Sequence, residues 1–456
     1  MEIRITINLM QHHISFNLSE TPGLVGLIQN GEESPILKLT NVTCNGQEYR
    51  VIRYDKKQLT PELIPLYGLC RSLIIDTDGN VLSFAPPKSF PFESFKNAYD
   101  VNNVIAQEFV EGTMINLFWD KRTNQWEVST RSTIGATSSF YKGGNIGKKT
   151  FRDMFMEAAT NCKLNFEFLN NTMIYSFVLQ HPENRIVVPF TSTQLYLVGV
   201  YNVAKNDANQ IIVNSHNIYD YTDHLQNSYV MLPEIYNSKS NSNSNSKSYD
   251  ELVSKYASTN TPYECVGIVF YNTTTGERSK VRNPVYEQIR HLRGNQPKLQ
   301  YHYLCLRKEG KVGDFLKFYP ENKGEFSNFR NQIHSYTREL FQNYISCYIK
   351  KEKPLIEFST QYRTHMFNIH KIYTTELKEK KQHVTHLVVV NYVNNVHPTL
   401  LMYCLNKGIG NQGVGNQGSP TTPPLVGNQG SPMDAVTDAV TEAPMDAVTE
   451  APMDEP

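Results

Sequence analysis

Basic and aromatic side chains are interleaved between residues 290 and 317, and this combination suits one kind of chemistry. Aromatic rings stack on nucleobases and cationic side chains bind phosphates, so the pattern favours single-stranded nucleic acid. The alternative is a packing segment between domains whose charges are only solvated, and the sequence leaves both interpretations open. The basic members are Arg290, Arg293, Lys298, Arg307, Lys308, Lys311 and Lys317, and the aromatic members are Tyr301, Tyr303 and Phe315.

The cysteines and histidines do not indicate metal or disulfide chemistry. The seven cysteines are scattered without paired spacing, and no Cys/His cluster resembles a zinc site. We therefore expect free thiols in a reducing compartment, which predicts a cytoplasmic protein. No apolar run is long enough to span a bilayer, so we expect no membrane partner.

Charge is unevenly distributed along the chain. Its 44 Lys and Arg residues balance 44 Asp and Glu residues. Seven of those acids, and no Lys or Arg, follow Lys407, so residues 1–407 keep 37 acids and carry a formal charge of +7. A moderately basic body suits a polyanion such as RNA, although charge alone favours a solvated surface with no special partner.

The elements that must position these residues change in type along the chain. Short alternating runs at 50–54, 72–76, 114–119 and 195–201, and a similar run over residues 1–7, predict strands. One helix is predicted over 149–160. Together they indicate an α+β body with a mostly antiparallel sheet. A Ser/Asn run at 238–248 is expected to be a flexible insertion within that body.

From about residue 315 the apolar period becomes helical. Two helical faces and a third candidate over 384–405 predict a separate helical domain, with Pro354 between the first two. The first face is Phe326, Phe329, Ile333, Tyr336, Leu340 and Tyr344, and the second is Tyr362, Met366, Ile369, Tyr373 and Leu377. Residues 408–456 are low in complexity and acidic, which predicts a disordered tail that contacts a protein partner or acts as a tether.

Four stretches then occur in a fixed order. Residues 70–76 read Cys-Arg-Ser-Leu-Ile-Ile-Asp, and residues 83–90 follow with Lys88. Residues 109–115 read Phe-Val-Glu-Gly-Thr-Met-Ile, followed by Ser-Thr-Arg-Ser-Thr-Ile at 129–134. Residues 177–187 end in Asn-Arg-Ile-Val. Residues 266–270 read Val-Gly-Ile-Val-Phe and precede Lys280-Val281-Arg282.

This series resembles the bacteriophage-type RNA ligases of the covalent nucleotidyltransferase superfamily. The resemblance implies an antiparallel-sheet, ATP-grasp-like nucleotidyltransferase domain over 1–292, an all-α domain over 293–407 and the tail over 408–456. It implies RNA as partner, with ATP and magnesium as cofactors if the site works. The positions that it assigns to nucleotide or phosphate binding are Arg71, Lys88, Glu111, Gly112, Arg131, Arg185, Lys280 and Arg282.

The chain departs from that family where covalent bonds are made. The family's lysine nucleophile carries the nucleotide as a phosphoramide, and here its position is occupied by Phe109, whose ring cannot form that bond. Two carboxylates that would help to hold a cation fall on Val178 and Val266. A shifted register would instead use Glu167 or Glu264 as a metal ligand, so these alternatives stay open.

Three hypotheses follow. The first is a catalytically silent relative of an RNA ligase that binds RNA ends or a nucleotide. The second is an active ligase that uses another lysine or joins pre-adenylated RNA. The third is a structural or interaction protein in which the basic residues pair with acids such as Glu111 and Asp76. Such a chain resembles what large DNA viruses encode, in which case the expected compartment is the host cytoplasm.

Overall fold

The computed structural model describes residues 14–138, 149–225, 227–237, 248–296 and 298–407. The predicted strand over residues 1–7, nearly all of the Ser/Asn insertion and the acidic tail lie outside these residues. The chain divides into two compact units, the first ending at residue 291 and the second beginning at residue 292. Each unit is described separately.

Strands dominate the first unit and pair antiparallel in three sheets. Their orders are β1-β11-β10-β9-β7-β8, β2-β3-β4-β5 and β13-β12-β6. The strands are β1 (Ile14–Asn17), β2 (Leu37–Cys44), β3 (Gln47–Tyr54), β4 (Leu73–Ile75), β5 (Val81–Phe84), β6 (Val104–Glu108), β7 (Thr113–Asp120), β8 (Gln125–Ser129), β9 (Ile174–Gln180), β10 (Gln194–Lys205), β11 (Ile211–His216), β12 (Gly267–Asn272) and β13 (Arg278–Arg282).

Short helices cover these sheets. They are α1 (Leu24–Asn30), α2 (Ile64–Tyr67), α3 (Phe92–Ala98), α4 (Phe151–Asn161), α5 (Tyr249–Tyr256) and α6 (Pro284–Arg293), the last of which contains the point of division. The predicted helix over 149–160 is confirmed as α4, which begins after the N-cap Thr150. The other helices were not predicted, because most have only one or two turns and so show too little of a helical period.

Two apolar clusters hold the first unit together. The larger one joins α1 to the four-stranded sheet and to parts of the six-stranded sheet, with Leu27, Val51, Ile74, Phe84 and Phe118 at most 4% exposed. The smaller one lies between the three-stranded sheet and helices α3 and α5. Strand β9 lies inside the six-stranded sheet, and six of its seven residues are buried. Such a run reads as continuously apolar and not as alternating.

The second unit is helical. Its helices are α7 (Leu299–Lys308), α8 (Val312–Phe318), α9 (Lys323–Tyr344), α10 (Thr360–Ile372), α11 (His386–Asn395) and α12 (Pro398–Asn406). The two predicted faces are confirmed as α9 and α10, each of which continues into a π-helical turn. The predicted third helix is wrong as a single element, since Pro398 begins a new helix and the residue before a proline avoids the helical conformation.

Three hydrogen-bonded polar side chains, Tyr392, His365 and Cys404, lie in the core of this unit. The buried ring of His365 bonds the Tyr392 hydroxyl through Nδ1 (2.8 Å) and the Cys404 thiol through Nε2 (3.2 Å). All seven cysteines of the chain are free thiols, as the sequence predicts. Together the two units confirm the predicted α+β class with helices at the C-terminal side. Among the described helices, none is both long enough and apolar enough to cross a membrane.

Candidate nucleotide site

The segment from Phe109 to Gly112 connects β6 to β7 and is the centre of the candidate site. Gly112 has a φ of +147°, a conformation that side chains rarely adopt. A Cβ atom there would lie 2.4 Å from the carbonyl oxygen of Leu179 and 2.7 Å from Cγ1 of Val178. The glycine therefore allows this segment to pass directly against β9.

Glu111 fixes the same segment from the other side. Its buried carboxylate accepts hydrogen bonds from the backbone N–H groups of Val187 (2.6 Å) and Val188 (3.0 Å). Asn184 donates a further bond to the hydroxyl of Thr113 (2.8 Å). The Glu-Gly pair thus ties the connection to the Asn-Arg-Ile-Val stretch. This contact supports a structural role, and the predicted role of Glu111 in nucleotide binding stays a prediction.

Phe109 is 6% exposed and lies beneath two cations. The Lys280 ammonium is 4.9 Å from the centre of its ring, and the Arg282 guanidinium carbon is 5.2 Å from it. The register explains this contact. Glu108 pairs with Ile268, so the next residue, Phe109, comes level with Gly267, which has no side chain to separate it from β13. Lys280 and Arg282 are two residues apart on β13 and so face the same side.

Acidic and phenolic groups complete the surroundings of Arg282. Its Nε lies 3.2 Å from Oε1 of Glu287, which also binds Arg290. Burial, and then the negative charge of Glu111, raise the pKa of Tyr286 well above its ordinary value, so this phenol keeps its proton. The sequence interpretation did not select Tyr286 or Glu287. The signal was present, since both lie at the start of the helix that follows Lys280-Val281-Arg282.

The two valines predicted at carboxylate positions border this segment. Val178 lies against Gly112, and Val266 immediately precedes Gly267, the residue level with Phe109. Each valine is 5% exposed. They are therefore packed at opposite ends of residues 109–112, Val178 on β9 and Val266 immediately before β12.

Neither alternative carboxylate takes the place of these valines. Glu167 is exposed beside Trp119 and Trp126, at the far end of β7 from Gly112. Glu264 is also exposed, and its charge adds to burial in raising the pKa of the neighbouring Tyr263. Among the described residues there is no group of three or more His, Cys, Asp or Glu side chains that could hold a metal ion. The predicted metal roles of both glutamates stay predictions.

The remaining predicted phosphate ligands contact backbone carbonyl groups. Arg71 is 1% exposed and donates from Nη1 to the Pro86 carbonyl (3.4 Å). Arg131 donates to the Tyr54 carbonyl (3.3 Å) and lies over the same tyrosine's ring. Of the predicted set, the structure brings Lys280 and Arg282 to Phe109.

Lys88 and Arg185 lie in two further connections of the first unit. Arg185 donates from Nε to the carbonyl of Val187 (2.9 Å), within the stretch that Glu111 binds. The backbone N–H of Lys88 bonds the Gly68 carbonyl (2.9 Å). Their roles in phosphate binding also stay predictions.

A half-buried carboxylate next to Phe109 was missed. Glu108 accepts a hydrogen bond from the Glu234 backbone N–H (3.3 Å) and lies near Tyr219 and Tyr236. Burial, and then the charge of Glu234, raise its pKa above the ordinary value. No motif marks this glutamate in the sequence, because its surroundings come from strands and loops that are distant along the chain.

The basic and aromatic segment at 290–317 is largely engaged within the fold. Tyr303 and Phe315 are 4% and 2% exposed and pack in the helical unit. Lys311 pairs with Glu309 and Lys317 with Asp314, each at 2.8 Å. These contacts favour the packing interpretation of this segment.

Comparison with known proteins supports the resemblance drawn from the four stretches. The chain is 23% identical over 285 residues to an RNA ligase of Rhodothermus phage RM378, covering 58% of this chain and 64% of the ligase. It is 23% identical over 290 residues to the immediate-early protein ICP-46 homolog of Invertebrate iridescent virus 6, covering 59% of each. The chain thus spans less than two thirds of the length of these curated relatives. No protein-family model matches it.

Solved structures match with low sequence identity and low TM-scores. An archaeal ATP-dependent RNA ligase gives a TM-score of 0.35 at 9% identity, covering 85% of this chain and 94% of that one. The Naegleria gruberi RNA ligase with pyrophosphate gives 0.30 at 13% identity, covering 55% and 76%. The chain is an α+β protein with a helical C-terminal part, and its predicted resemblance to bacteriophage-type RNA ligases is confirmed in sequence by the phage relative.

Proposed function

We propose that this RNA-ligase-like protein binds an RNA end or a nucleotide without forming a covalent nucleotide intermediate. One observation carries the proposal: Phe109, which the sequence resemblance assigns to the position of the lysine nucleophile, is buried beneath Lys280 and Arg282. The phenyl ring has no lone pair with which to attack phosphorus. The two cations lie on the same face of β13, and both are side-chain types that bind phosphate.

The binding chemistry follows from these side chains. Arginine offers paired N–H donors that match phosphate oxygens, and lysine offers a compact positive charge. The cation–π contacts orient both groups above an apolar surface without neutralising them. Glu287 pairs with Arg282 and so holds this guanidinium beside the ring. We assign no chemical step to a metal ion, because the described carboxylates do not form a set of ligands at this segment.

The test is incubation of the full chain with labelled ATP and magnesium, followed by a denaturing gel. We expect no label to remain on the protein. A band that survives denaturation and is lost in acid, as a phosphoramide is, would contradict the proposal. The companion variant Phe109→Lys is expected to stay inactive, since Val178 and Val266 supply no carboxylate to a cation.

A second candidate function is an active ligase that uses another lysine. In that case Lys280 is the lysine that we expect to act as nucleophile, because it lies over Phe109. It predicts a labelled band in the same gel that disappears in Lys280→Ala and persists in Lys96→Ala. Lys96 is a suitable control because it lies on α3, where it pairs with Asp250.

A further inference from the structure

A pocket at one edge of the six-stranded sheet lies apart from the Phe109 segment. It is about 480 Å³ in volume and is lined by Trp119, Trp126, Phe166, Glu167, Asn170 and Asn171, among others. This volume is within the range of small-molecule sites. Strand β8 is the edge strand, and Trp126 on β8 faces Trp119 on β7 as a cross-strand pair.

Aromatic rings form the apolar wall of this pocket. The centre of the Trp126 ring lies 5.5 Å from that of Trp119 in an edge-to-face arrangement and 6.4 Å from that of Phe166. Buried Tyr175, 6.1 Å from Trp126, supports the wall from within. Both tryptophans are only half-buried, so flat ring surface is open to solvent at the pocket.

The polar groups at the pocket are acceptors and amides. Within the described chain, Glu167 is the charged residue that lines the pocket, and its carboxylate has no hydrogen-bond or ion-pair partner there. The side-chain oxygen of Asn170 accepts bonds from Thr172, which leaves its NH₂ group as a donor. A phosphate would meet a negative charge here, whereas a ring with N–H donors on its edge would meet an acceptor.

We propose that this pocket binds a nucleobase, with guanine preferred. Stacking on the tryptophan and phenylalanine rings would hold any base. A carboxylate only accepts hydrogen bonds, and guanine presents adjacent N1–H and N2–H donors that can bind both of its oxygens. Adenine has an acceptor at the equivalent N1 position and would face the carboxylate unfavourably. The inference rests on the proposed function in one respect, that RNA is the polymer from which the base comes.

The two tryptophans make this site directly measurable. They are the chain's only two, and both line the pocket, so intrinsic tryptophan emission reports on it. We would titrate the full chain with guanosine, inosine and adenosine, correcting for absorption by each nucleoside. Nucleosides carry no phosphate, and hence do not depend on Lys280 and Arg282.

Guanosine is expected to quench the emission saturably. Inosine, which lacks the 2-amino group, should bind roughly tenfold more weakly, because it can form only one of the two paired hydrogen bonds. Adenosine should bind more weakly still. Glu167→Gln should lower guanosine affinity about tenfold by removing one acceptor oxygen. Glu33→Gln is the matched control, since it removes an exposed carboxylate of the same unit outside the pocket, and it should bind guanosine normally.

Three results would overturn the inference. One is equal quenching by all three nucleosides, and another is unchanged guanosine affinity in Glu167→Gln. The third is Glu167-dependent quenching by arginine amide without quenching by guanosine, which would indicate a protein ligand. Failure of the proposed function is distinguishable, because the double variant Lys280→Ala with Arg282→Ala should retain the guanosine response. Loss of that response in the double variant would assign the signal to the other site and also contradict the inference.

Discussion

At the scale of single residues, the ring of Phe109 acts on the two cations that lie over it. An aromatic face attracts a cation by about 0.5–1 kcal/mol at exposed sites and by more where water is excluded. This attraction favours the orientation in which Lys280 and Arg282 lie over the ring. Replacing the ring by lysine would remove this attraction and place a third positive charge beside these two, which would destabilise the arrangement of Lys280 and Arg282.

The residue next to Phe109 gives a prediction about pH. Burial raises the folded-state pKa of Glu108, so the folded protein holds this proton at a pH where the unfolded chain has released it. The stability that Glu108 contributes by holding this proton is fully present below the ordinary glutamate pKa. It is lost as pH rises through the raised pKa of the folded state. Glu108→Gln removes this loss and keeps an acceptor for the Glu234 N–H. We expect the variant to gain stability over the parent as pH increases.

Urea unfolding of the parent and Glu108→Gln at a series of pH values measures this difference. Glu33→Gln again serves as the control, because its carboxylate is exposed. A difference between the parent and Glu108→Gln that stayed constant with pH, or that grew towards acid, would show that burial does not set the pKa of Glu108.

At the scale of elements, α4 shows what a local sequence signal can specify. The hydroxyl of Thr150 accepts a bond from the Asp153 N–H (3.1 Å), and the Asp153 carboxylate accepts one from the Thr150 N–H (2.9 Å). Such a capping box satisfies two of the backbone donors that a helix leaves free at its start. The helix was predictable because the cap and the apolar period both lie within a dozen residues.

Removal of this cap should weaken the first unit measurably. We expect Thr150→Ala to lower the free energy of unfolding by about 1 kcal/mol. Thr160→Ala is the control on the same helix, because its hydroxyl only bonds the preceding turn at Met156, and it should change stability by less than about 0.5 kcal/mol. Equal losses in the two variants, measured by denaturant unfolding, would mean that the cap contributes nothing specific.

The candidate site could be predicted only in part, because much of it depends on contacts between residues that are distant along the chain. The order of the motifs was enough to associate Phe109 with Lys280 and Arg282, although both cations lie far from Phe109 along the chain. The use of Glu111 as an acceptor for Val187 and Val188 depends on a contact between β7, β9 and the loop that follows. The Phe-Glu-Phe at 166–168 reads like a strand motif, yet it forms a short 3₁₀ turn beside the tryptophans. Tertiary contacts of this kind have no local signal.

At the scale of the whole molecule, charge gives a prediction about RNA binding. The full chain should bind short single-stranded RNA less tightly as salt increases, because each neutralised phosphate releases counterions. Lys280→Ala combined with Arg282→Ala should weaken binding by about 1–3 kcal/mol for each charge-assisted hydrogen bond removed. It should also reduce the slope of log affinity against log salt by roughly 1.4. A chain ending at residue 407 should bind more tightly, since the acidic tail no longer competes.

A second double variant controls for net charge. Lys371 and Lys378 are exposed and have no ion-pair partner within the described part of the chain. Their joint replacement by alanine removes the same charge from the helical unit and should weaken binding less. If both double variants bind RNA as the parent does, RNA contacts neither cation pair. No binding at low salt would favour a scaffold protein, in which arginines such as Arg71 and Arg131 serve only the packing of the first unit.

The bond between His365 and Cys404 has a consequence for how the helical unit opens. Burial raises the pKa of this thiol and lowers that of the imidazole, so both groups are neutral and the sulfur is unreactive while the helices stay packed. An alkylating reagent can reach Cys404 only after α10 and α12 separate. The alkylation rate of Cys404 therefore reports how often the helical unit opens. The ratio of this rate to the alkylation rate of an unfolded peptide gives the free energy of local opening.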